Sequence, residues 1–178
     1  MTRKTAAHAP VPPRLRIRFK KLRDGSHNFS CERADGTQTW QRQPNISPMH
    51  DLTHYAVETI LGHRHGFYGM VADGWDLSDF GAPWPRGRIP ADADPSELIV
   101  GFFDVERTME QPMTSQEFNQ AIGTYYRDHF GRDAEWEVTE KQRLAIRVRM
   151  RELFQQWRQL APGDTLELPF PPREPISP

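Results

Sequence analysis

His50 and His54 stand four residues apart with Asp51 between them, on a stretch whose pattern predicts a helix. At roughly 100° of rotation per residue the two rings lie ~40° apart and one turn apart along the axis, so both imidazoles can converge on one point. That is metal-ligand geometry, and imidazole nitrogens suit zinc without a thiolate. Asp51 lies about 100° round from His50, in a position to orient or deprotonate a water on the ion. A catalytic zinc takes three protein ligands and leaves one position open, so a further ligand is required. Glu58 shares the helix but lies ~12 Å along it from His50, which suits a residue that orients a histidine better than a joint ligand. His65, Asp73, Asp76 and Asp79 return by chain reversal. The sequence does not choose among them.

The element that must position these groups begins at Ser47-Pro48, where serine can cap free N–H groups and proline at the first helical position has none to leave unpaired. It should run from Pro48 to about Leu61 and stop at Gly62 in a left-handed turn. Met49, Ala56, Val57 and Ile60 form its apolar stripe, with the histidines at the edge. The string His50-Asp51-Leu52-Thr53-His54 resembles the zincin metallohydrolase signature H-E-x-x-H, its acid one methylene shorter. That resemblance implies zinc on the histidines and Asp51 as general base. Aspartate reaches ~1.5 Å less far than glutamate, and proton transfer needs about 2.6–3.2 Å, so the base role carries the greatest geometric demand. The longer strings HDLTHYAVETILG and GFYGMVADGWDLSDFG are similar to a group of uncharacterised bacterial proteins, which implies a small α+β fold and no particular activity.

Around this helix the sequence predicts a small antiparallel sheet. Leu15, Ile17 and Phe19 alternate with Arg14, Arg16, Arg18 and Lys20, the period-two signature of a strand with one wet face. Turns at Asp24-Gly25 and Ala34-Asp35-Gly36 deliver a second strand, His27 to Arg33, and a third, Thr37 to Gln43. Cys31 reads as a small core residue and Trp40 as a half-buried sheet aromatic. Thr165 to Phe170 alternates again and should return to the meander as an edge, where Pro169 is tolerated. Between them, helical spacing marks Phe67 to Trp75, a buried helix after Pro95 carrying Leu98, Ile99, Phe102, Phe103 and Val105, a helix from Thr114 to His129 opened by a capping box, and a last helix from Glu140 to about Leu160 whose arginines face water. The predicted class is α+β, the sheet packed against four to five helices. Residues 1–13 read as a flexible leader, 14–170 as a single domain and 171–178 as a disordered tail. The proline-rich stretch 82–95 reads as a loop able to cover the histidine helix.

Composition narrows the function classes. With 23 Lys+Arg against 24 Asp+Glu the net charge is −1, which argues against a phosphate-tracking surface. The basic row Arg14–Lys20 lacks interleaved aromatics on its own face, so a solvated strand face is the favoured reading over nucleic-acid binding. One cysteine permits no intramolecular disulfide, no run of eighteen apolar residues exists, and no secretory stretch opens the sequence, so cytoplasm is the expectation. Two functions from different classes remain: a metal-binding, zinc-dependent hydrolase acting on an unknown substrate, or a non-enzymatic binding or regulatory module in which the His/Asp/Trp cluster stabilises a turn or docks a protein partner through Phe67, Tyr68, Trp75, Phe80 and Trp84.

Overall fold

The structure, a computed structural model, describes residues 13–44, 48–81, 86–90 and 93–171. Most of the leader, the Ser47 cap, Trp84 and the tail beyond Pro171 lie outside the described residues. The chain is α+β. Strands β1 (Leu15–Lys21), β2 (His27–Arg33), β3 (Gln38–Gln43) and β4 (Thr165–Phe170) form one antiparallel sheet in the order β3-β2-β1-β4. Ile17 stands opposite Cys31 on one side and Leu168 on the other. Pro169 falls on the outer strand, as a residue without an N–H must.

Alternation gives the sheet its two characters. Leu15, Ile17, Phe19, Phe29, Cys31, Leu166, Leu168 and Phe170 point into one continuous core with the helices. Arg16 and Arg18 point to the opposite face, where Arg18 bonds Glu32 at 2.7 Å and Glu167 at 2.6 Å. These cross-strand acids pair with Arg16 and Arg18 on the face turned away from the helices, while Arg14 pairs with Asp73 in the helical layer. Lys21 turns its ammonium onto the carbonyls of Trp157 and Leu160, where a cation satisfies groups that a helix end leaves unpaired.

The helices are α1 (Met49–Leu61), α2 (Phe67–Ala72), α3 (Ser96–Met109), α4 (Ser115–Phe130) and α5 (Glu140–Gln159), with one 3-10 turn at Leu77–Phe80. Helix α1 ends in Gly62 at φ 72°, a left-handed stop that favours glycine. It is the centre of the helical layer, touching α2, α3 and α5. Leu52 through Glu58 are buried without a break. An amphipathic stripe therefore describes it poorly, and Ile60 is 38 % exposed because the last turn runs out past the neighbouring elements.

Other predicted faces need the same correction. Val105 is 50 % exposed on α3, and Phe102 and Leu98 are half-buried. Trp40 sits exposed on the outer strand β3, where it has no second neighbour to cover it. On α5, Leu144 and Val148 face solvent while Arg143 is buried, donating to the Met113 carbonyl and Glu140. Arg147 bonds the buried Glu106. Tyr68 is wholly buried, which removes it as an interface anchor.

Candidate metal centre

Helix α1 presents His50 and His54 with ring centroids 4.8 Å apart, nearly edge to face. The third member of the cluster comes from α3. Glu97 brings one carboxylate oxygen to 3.0 Å from His54 Nε2 and the other to 3.9 Å from His50 Nε2. Across His50, His54 and Glu97, one ligand atom from each lies within 4.8 Å of the others. No other group of three histidine, cysteine or acidic residues meets that test among the described residues.

The far nitrogens are equally organised. His50 Nδ1 lies 2.7 Å from Asp104, and His54 Nδ1 lies 3.3 Å from Glu58. Each imidazole thus has its own carboxylate behind it and shares one carboxylate in front. A carboxylate on Nδ1 fixes the tautomer and leaves Nε2 as the lone-pair nitrogen, the arrangement that metal-ligating histidines usually show.

Sequence explains how α3 is held at this distance. Asp94 accepts the N–H of Arg64 at 2.7 Å, and Ser96 reaches His63 Nδ1 at 2.8 Å, so the start of α3 is tied to the turn that follows α1. Glu58 is buried completely, yet it also accepts the Tyr68 N–H at 3.0 Å. Glycine at 66 is required here: a Cβ would stand 2.6 Å from the Glu58 carboxyl carbon and 2.4 Å from Ser96 Oγ. At Gly69 a Cβ would stand 2.0 Å from the Arg64 carbonyl oxygen. These two glycines let the turn close over the carboxylate.

Charge follows from this packing. Burial alone pushes His54 down, but hydrogen bonds and charge from Glu58 and Glu97 outweigh it and raise its pKa to about 9. Its Glu97 hydrogen bond, first of all, holds Glu97 below the usual carboxylate range. Burial works against Asp104, but the bonds from His50 and Arg107 depress it. Burial raises Glu58 against the bonds it accepts. It also raises Asp51, opposed by the nearby histidines and reinforced by Glu97 and Asp104.

A cleft of about 550 Å³ opens on the cluster, walled by Phe29, Phe67, Leu77 and Phe80 and including Asp51. The Asp51 carboxylate makes no hydrogen bond among the described residues, while its backbone carbonyl accepts the Tyr68 hydroxyl at 2.9 Å. It does not join the group of three.

The acids expected as further ligands are engaged elsewhere. Asp73 pairs with Arg14, Asp76 with Arg33 at 3.0 Å, and Asp79 closes a capping box onto the Asp76 N–H at 2.8 Å. His65 is also outside the group. The sequence does not mark Glu97 as a ligand, since it lies 43 residues beyond His54 and reads as an ordinary first-turn acid following Pro95-Ser96. The only signal is that a helix start rich in ties to the His63–His65 turn must bring its first-turn side chain beside α1. Fold and site together define a small α+β protein with a cleft centred on two histidines and one carboxylate. No family model matches the chain, and no curated protein or solved structure matches it.

Proposed function

We propose that this protein is a metal-dependent hydrolase that binds one divalent transition ion, zinc, through Nε2 of His50, Nε2 of His54 and the Glu97 carboxylate. One observation carries the reading: both imidazoles turn Nδ1 to a private carboxylate and Nε2 to a shared one. Two histidines and a carboxylate satisfy zinc while leaving a position for water or substrate. An ion held this way polarises a carbonyl and lowers the pKa of a coordinated water. Asp51 then takes the proton. Its place in the cleft beside the two histidines suits a carboxylate acting as general base.

The test is metal content by elemental analysis after expression with zinc supplementation and exhaustive dialysis. One equivalent is expected, falling to a small fraction in His50→Ala, His54→Ala and Glu97→Ala. Asp51→Asn should retain the metal and lose hydrolysis of activated esters. Metal-free protein under these conditions would remove the reading.

A second reading has its own support. His54 with a carboxylate on each nitrogen is also satisfied by a proton, which makes the cluster an ionic clamp between α1 and α3 in a non-enzymatic binding module. That alternative predicts full folding stability in the presence of chelator and no zinc uptake.

A further inference from the structure

Helix α3 carries a glycine in its interior, and an interior glycine weakens a helix relative to alanine. Close packing against a protein neighbour does not explain Gly101, since a Cβ there meets nothing within 4 Å. The open space is a groove of about 920 Å³ between α3 and α4, walled by Leu98, Gly101, Phe102, Val105, Tyr126 and Phe130. Phe118 closes it off from the core by packing on Phe102 and Phe103. Val105 and Phe130 are 50 % and 57 % exposed, so apolar surface here stands open to solvent.

This groove adjoins the candidate centre. Glu97 and Ile89 line both it and the cleft that holds His50, His54 and Asp51. Among the described residues the lining of the cleft includes no lysine or arginine, and its charged or titratable groups are the Asp51 and Glu97 carboxylates and the two histidines. In the metal-free protein a phosphorylated or carboxylated reacting end would meet the Asp51 and Glu97 carboxylates there. Among the described residues the only cation along the groove is Arg132, over the Tyr126 ring at 5.6 Å and already paired with Glu135 at 3.3 Å.

We propose that the substrate is an uncharged carboxylic acyl compound, an ester or amide bearing a long alkyl chain, with the chain along Gly101 and the carbonyl at His50, His54 and Glu97. This rests on the hydrolase reading. Water adds through oxygen to the acyl carbon and gives its proton to Asp51. The bond from that carbon to the leaving oxygen or nitrogen breaks, and the leaving group takes the proton, yielding acid and alcohol or amine. Glycine at 101 leaves room for the chain, which covers the exposed Val105 and Phe130.

Binding is measured by calorimetry on the full chain, first with chelator so that the ion does not enter the comparison. N-Decylacetamide should bind at least tenfold more tightly than N-butylacetamide and than decyl phosphate. Gly101→Leu should weaken the decyl amide at least tenfold, while Gly101→Ala melts no lower than the parent, which shows that position 101 tolerates a side chain. In zinc-loaded protein, kcat/KM for p-nitrophenyl decanoate should exceed that for the acetate at least tenfold, and Gly101→Leu should erase the preference. Equal affinity for the two amides, or undiminished binding by Gly101→Leu, overturns the groove assignment whatever the metal result. Chain-dependent binding without zinc uptake overturns the hydrolase reading, and with it the role of the bound chain as substrate.

Discussion

The two edges of the candidate centre use the same side chain in opposite surroundings. His54 is buried, with Glu58 behind it fully enclosed and held by the backbone N–H of Tyr68. His50, one turn earlier on the same helix, is 46 % exposed at its side chain and leans on Asp104, whose other oxygen is shared with Arg107. A charge in the inner pair has no water to fall back on, so its partners are indispensable to folding. The outer pair is solvated and contributes little to folding, so its alignment makes sense as a matter of binding. The contrast teaches that the centre is anchored on one side and accessible on the other.

The largest effect that can break this comparison is on stability. Removing one partner of a buried ion pair typically costs about 3–5 kcal/mol, because the other is left uncompensated. His54→Ala should lose that much in urea denaturation of chelated protein. A loss below about 1 kcal/mol would mean that the inner pair is not the anchor described.

Next comes the effect on zinc. Glu58→Gln and Asp104→Asn each remove a carboxylate that orients a ligand without removing the ligand, and such changes cost about 10–100-fold in metal affinity. Competition with a coloured chelator measures both. The buried pair should show the larger loss, since no water replaces the lost charge at Glu58. Unchanged affinity in both variants would detach the outer carboxylates from metal binding.

pH sharpens the comparison, with a sign that depends on the ion. The folded pKa of His54 is raised to about 9 from an ordinary 6.5. Its protonated form therefore stabilises the chelated protein fully below about pH 6.5, and that contribution is lost as pH rises through about 9. Burial raises Glu58 and Asp51 as well, which also favours the protonated side. Glu97 and Asp104 are depressed, and their contributions disappear only in acid. Zinc reverses the trend: binding requires Nε2 without its proton, so the stabilisation gained from a fixed zinc concentration should grow across the same window. Thermal melts at pH 6.5, 7.5 and 8.5, with chelator and with zinc, should diverge. Parallel curves would show that the ion does not displace this proton.

Local patterns made much of the fold legible and left part of the site hidden. Strict alternation in Leu15–Lys21 and Thr165–Phe170 marked strands because one sheet face is wet, and Gly62 marked the end of α1 because few residues accept its backbone angle. The helical spacing of His50 and His54 likewise survives folding unchanged. Burial around α1 is not legible: an amphipathic reading assumes one covered face, while this helix packs against three other helices and reaches β4 through the Tyr55 hydroxyl, so the run Leu52–Glu58 is buried all round and Ile60 is left exposed in the last turn. Glu97 and Asp104 were hidden for another reason. Their relation to α1 depends on the docking of α3 through Asp94 and Ser96, a long-range geometry that neither period nor motif encodes.

The smallest effect concerns His50 alone. Its ring is half-exposed, its bond to Asp104 is exposed to solvent, and Asp104 keeps Arg107 at 3.0 Å when the imidazole is gone. Solvated ion pairs usually contribute between 0 and about 1 kcal/mol. His50→Ala should therefore shift the urea midpoint of chelated protein by less than the equivalent of about 1 kcal/mol. The same substitution removes a ligand, so the zinc-induced rise in melting temperature should largely vanish. A variant that folds as well as the parent and no longer responds to zinc separates binding from stability at one residue. If His50→Ala destabilised the chelated protein as severely as His54→Ala, the outer edge would be part of the anchor, and the exposed histidine would need a structural explanation in place of a metal one.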